Sequence, residues 1–238
     1  MSLFIILLLS GCALLGGLAV FFVKKDSNQR LKLILSFSGA YLFAITILHL
    51  LPDVYQRDQT HLIGLFILGG FILQILLEQF SQGIEHGHIH LHSHQQSFPW
   101  GIMLSLCLHA FLEGMPLTAK NNQQLVYGIA LHHIPAAFAL GSVLIGNQIK
   151  KTNIILLLVA FAAMSPLGYI FSFALSNGNI QSLGSYYPYI MGVVIGIFLH
   201  ISTTILFESS VDHKFSMKKT FAVLVGIAIA LIGFFLEA

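Results

Sequence analysis

The chain is poor in charge: only 8% of its 238 residues are Asp, Glu, Lys or Arg, where a soluble domain carries about 25%. Together with 56% hydrophobic residues and a mean hydropathy of +0.86, this excludes a soluble globular protein, because no such core buries so much apolar surface. A net charge of +2 is too small to suggest a nucleic-acid partner. Cysteine is scarce, and Cys12 and Cys107 both sit inside apolar runs, so they make no disulfide framework. No ATP-binding motif and no HExxH motif is present. Long polar stretches are missing too. The longest is a loop of about 18 residues, so whatever the protein does happens in or across a bilayer.

What the chain has is apolar runs of membrane-crossing length. Eight spans read off at about 2–23, 31–51, 61–80, 100–119, 125–147, 153–175, 187–207 and 219–236. The expected fold is an all-α integral membrane protein, a single eight-span unit over residues 1–238. Leu9-Ser10-Gly11-Cys12 resembles a lipoprotein cleavage box, but no positive segment precedes it and the apolar run continues to Val23, so it reads as a span. Lys24, Lys25, Arg30, Lys32, Lys150, Lys151, Lys214, Lys218 and Lys219 fall in one alternate set of loops, and only Arg57 and Lys120 in the other. Nine against two places both termini outside the cytoplasm. The expected location is a bacterial inner membrane.

Histidine is in surplus, twelve against nine acids. His109 and Glu113 lie four residues apart in the fourth span, stacked on one helix face. The fifth span carries His132 and His133, which point about 100° apart on a helix, so one faces an ion with His109 and Glu113 while the other lines the path or bonds a neighbour. Ionisable groups at membrane depth mark a site or pathway by default, and imidazole with carboxylate suits a divalent transition metal. The ordinary alternative is a His–Glu bond tying two helices. Pro116 and Pro135 weigh against it, since proline breaks a helix where transporters build ion sites. His49 with Asp53, and His200 with Thr204 and Glu208, repeat the four-residue spacing and read as entrance and exit stations. Glu78 reads as an end residue reaching for water, and Ser165, beside Pro166, as a packing residue first and a weak oxygen ligand second. In the loop 81–98, which the same charge count puts in the cytoplasm, His86, His88, His90, His92 and His94 form a metal-binding tract of the weak or sensing kind.

These residues resemble the ZIP (Zrt/Irt-like) family of divalent metal transporters. The resemblance rests on Phe37 through His49-Leu-Leu-Pro52-Asp53, on His109-Ala-Phe-Leu-Glu113-Gly, on Ala130-Leu-His132-His133-Ile-Pro135 and on Ser165-Pro166-Leu167-Gly168, each in its proper span. It implies uptake of zinc, or of iron, manganese, cadmium or cobalt, as transported substrate with no prosthetic group, and a homodimer by analogy. It also implies movement of spans one, four, five and six against two, three, seven and eight. His109, Glu113 and His132 match the family's first metal site, and His133 falls where a second site often has an acid. Ala110, Ala136 and Ser165 stand where many members have further ligands, which points to a single-ion site. Since ligands must be deprotonated, binding is expected to weaken below about pH 6.5. The competing readings are an intramembrane metal-dependent hydrolase, in which Glu113 would be both ligand and base, and a metal exporter.

Overall fold

A computed structural model describes residues 2–22, 28–57, 61–81, 83, 98–118, 123–177, 186–208 and 216–237. Among these there are helices and turns and no strand. Ser2–Leu18 forms α1, prolonged by a 3-10 turn over Ala19–Phe21. Asn28–Ile45 is α2 and Leu51–Arg57 is α3, joined by a π-helical turn, Thr46–Leu50. Pro52 has no N–H to give the Leu48 carbonyl, and the hydrogen-bond ladder widens to the i→i+5 spacing there. Leu62–Ser81 is α4, and Trp100–Gly114 is α5, which closes in a 3-10 turn over Met115–Thr118. Gln123–Gly146, Lys151–Asn177, Tyr187–Glu208 and Met217–Glu237 are α6, α7, α8 and α9.

Eight stretches are long and apolar enough to cross a membrane, one for each expected span. The protein is a multi-pass membrane protein. The second span is longer than the apolar run suggested: it continues through the π turn to Gln56, so Asp53 lies inside the helix. The expected break at Pro135 is also corrected, because α6 runs unbroken through it. α1 comes close at that point, where a Cβ on Gly16 would stand 2.3 Å from the Ile134 carbonyl oxygen. Pro166 likewise lies within a continuous α7.

The helices sort into two groups. α1, α5, α6 and α7 pack mainly on one another, as do α2, α4, α8 and α9. A buried apolar cluster including Ala13, Leu106, Ala110, Ala136, Leu140 and Phe161 belongs wholly to the first group. A larger one, around Leu42, Ile45, Ile129, Phe198 and Ile201, joins the two. α6 is the central helix, with 72% of its crossing window buried, while α4 at 22% and α9 at 17% turn their apolar faces outward to lipid.

The α6–α7 turn shows how tightly the first group is wound. Gln148 takes a left-handed backbone, φ 56°, which lets Ile149 N–H donate back to the Leu144 carbonyl at 3.3 Å and cap the end of α6. Lys151, at the start of α7, then lies over the Phe21 ring, 5.0 Å from its centroid.

Candidate metal centre

α5 presents His109 and Glu113 one turn apart, and both are buried. It packs extensively on α7 but hardly on α6. Glycine allows the α7 contact: a Cβ on Gly114 would stand 2.0 Å from the Ser165 carbonyl oxygen, and one on Gly168 would stand 1.9 Å from that of Phe111. Any side chain at either position would push the two backbones apart. The space between α5 and α6 is bridged instead by imidazoles.

His109 Nε2 lies 3.1 Å from Glu113 Oε1, and His133 Nε2 lies 2.9 Å from Glu113 Oε2. The His109 and His132 rings meet edge to face, 6.1 Å between centroids. The ligating atoms of His109, Glu113 and His132 all lie within 4.8 Å of one another, the one such group of three among the described residues. Two ligands on one zinc ion sit at most about 4.2 Å apart, given bonds of about 2.0–2.1 Å, so only a small inward movement separates this arrangement from a coordination shell. His133 is outside that group and packs against the Phe161 ring, 5.9 Å between centroids.

The electrostatics favour a cation. Glu113 is fully buried, and an ionised carboxylate there is a negative charge in surroundings of low dielectric. Such a charge is costly until a cation or proton joins it. Ala110 and Ala136 are buried in the apolar cluster and add no donor. Ser165 is buried too, its Oγ without a hydrogen-bond partner among the described residues.

The other candidates lie elsewhere. His49 sits in the π turn with its ring edge-on to Phe234 at 5.2 Å, and Asp53 follows in α3. His200 Nε2 lies 3.4 Å from Glu78 Oε2, with Phe71 edge-on at 4.9 Å. Glu78 is therefore paired between α4 and α8 rather than simply reaching for water. No spacing rule links residues on separate helices, so the sequence carried no signal for that pairing, nor for Phe161 beside His133. Thr204 is half-buried on α8. The side chain of Glu208 and all of His86, His88, His90, His92 and His94 lie outside the described residues.

Comparison with known proteins bears on the same stretch of chain. Residues 85–233 match the family described as ZIP zinc transporter. The chain is 26% identical to zinc transporter ZIP1 of Danio rerio over 121 residues, 49% of this chain and 40% of that protein. It is 27% identical to zinc transporter ZIP9 of Micropogonias undulatus over 167 residues, 63% of this chain and 52% of that protein. The matches thus span about half the length of these relatives or less.

Proposed function

The chain belongs to the ZIP zinc transporter family, and on that premise we propose that it carries a divalent transition-metal ion, zinc foremost, across the membrane into the cytosol. The observation that carries the reading is the convergence of His109, Glu113 and His132 at full burial between two crossing helices. Two imidazoles and one carboxylate form a site of borderline softness that admits zinc, iron, manganese, cobalt and cadmium. Three protein ligands leave a position open, which suits an ion that must leave again. Family membership sets the hydrolase reading aside.

The finer parts of the proposal follow the sequence. Outside termini rest on the distribution of basic residues, and inward direction on the family resemblance. The division into α1, α5, α6 and α7 against α2, α4, α8 and α9 supports movement of one group against the other with the ion held in the first. His49 and Asp53 are the proposed entrance, His200 and Glu208 the proposed exit, and Ser165 a weak oxygen ligand on the path. The loop histidines are proposed as a sensing site, so deleting residues 86–94 should alter apparent affinity and leave flux. A homodimer, and a bacterial inner membrane as the location, complete the proposal; the relatives named above are animal proteins.

The test is uptake of zinc, iron, manganese, cobalt and cadmium into sealed proteoliposomes, with a His109→Ala/Glu113→Gln double variant as control. Saturable uptake that the double variant loses is the expected result. Equal uptake by the variant would move the site elsewhere, and metal leaving rather than entering the cytosolic compartment would reverse the direction.

A further inference from the structure

We infer that His133 is a positioning residue: it occupies the second oxygen of Glu113 and so fixes that carboxylate for the one ion the centre holds. This rests on the proposed function and deepens it. A carboxylate has two oxygens, and left free they can bridge a pair of ions. Here His133 Nε2 lies 2.9 Å from Oε2, and because an ionised carboxylate only accepts, the imidazole nitrogen must donate. His109 stands at Oε1, and it shares the group of three possible ligands with Glu113 and His132. A second cation beside Oε2 would meet the positive end of an N–H bond.

His133 is fixed in that role. It is 2% exposed, and Phe161 of α7 packs beside its ring. Nor is there a ready ligand set for a second ion, since Ala110 and Ala136 are buried in apolar packing. Outer partners that hold a ligating carboxylate set its plane and rotamer, and their loss costs roughly 10–100-fold in metal affinity. His133 therefore tunes the affinity of the one ion for which the centre has ligands.

The experiment uses purified protein in which His86, His88, His90, His92 and His94 are replaced by serine, so that loop binding does not obscure the count. Zinc per chain is measured by elemental analysis, affinity by titration, and imidazole ligands per zinc by X-ray absorption. The expected result is one zinc with two imidazoles. His133→Ala should weaken affinity roughly 10–100-fold at unchanged stoichiometry and imidazole count. His133→Gln, which keeps an N–H donor, should return affinity to within a few-fold of the starting protein and serves as the test if the alanine variant does not fold. Two zinc ions per chain, a third imidazole that disappears in His133→Gln, or no affinity loss in His133→Ala would overturn the inference. No zinc at all in the starting protein would instead overturn the proposed function.

Discussion

α4 with α8, and α5 with α7, meet glycine to backbone in the same manner. A Cβ on Gly70 would stand 2.0 Å from the Val193 carbonyl oxygen and one on Gly196 2.0 Å from that of Ile67, much as Gly114 and Gly168 approach Ser165 and Phe111. Each pair also keeps a glutamate beside a histidine, Glu78 with His200 at 3.4 Å and Glu113 with His109 at 3.1 Å. The difference is a third helix. α6 brings His132 and His133 up to Glu113, which is sealed from solvent, whereas the Glu78 side chain keeps 24% exposure and the His200 side chain 10%. A His–Glu pair on its own is only a polar contact, between α4 and α8 in one case and within α5 in the other. The same pair becomes a candidate ion site when further donors converge and water is excluded, because only then does the carboxylate need a cation.

The sharpest way to break this contrast is to neutralise each acid. Glu113→Gln should reduce zinc uptake by more than the ~10–100-fold that loss of an outer partner costs. Glu78→Gln should reduce it by less than about tenfold, since a partly exposed pair contributes only about 0–1 kcal/mol. Equal losses in proteoliposomes would mean the two pairs serve one pathway at equal weight.

The packing can be tested next. Gly114→Ala and Gly70→Ala should each destabilise by about 1–3 kcal/mol, because the added methyl meets backbone that cannot move aside. Gly69→Ala should not, since nothing lies within 4 Å of its Cβ position. Thermal unfolding in detergent reads all three, and a similar shift in each would show that glycine does not set the helix spacing.

Ala136→Glu carries the contrast in the other direction by supplying a further acid one turn from His132. Zinc affinity should rise about tenfold, or about 1.4 kcal/mol, while the zinc-free protein unfolds more easily because its new carboxylate is buried. Unchanged affinity in titration would mean that position 136 faces only the apolar cluster. The smallest effect is expected away from both pairs. Gln148→Gly should stabilise by about 0.5–1 kcal/mol by relieving the left-handed backbone, seen as a modest rise in melting temperature with uptake unchanged.

The spans were legible because hydropathy accumulates along a single stretch: an apolar run of membrane length has nowhere to go but lipid, whatever its neighbours do. The stack of His109 on Glu113 was legible for the same reason, since helical spacing is local. Other features were not. The extension of span two past Pro52 depended on a π turn, and α6 continues through Pro135 where proline alone suggested a break. The pairing of Glu78 with His200 needed α4 beside α8.

By itself, then, the chain's own order of residues determined eight crossing helices and singled out the histidines and acids of the proposed site. Tertiary structure alone decided which of them meet. Of two adjacent histidines, His132 joined His109 and Glu113, while His133 turned to the carboxylate's other oxygen. That choice depends on how far α6 is rotated and how closely α5 approaches α7, and both are set by glycine contacts between residues far apart in the chain. Periodicity tells which residues share a face; the direction a face points is a property of the packed bundle.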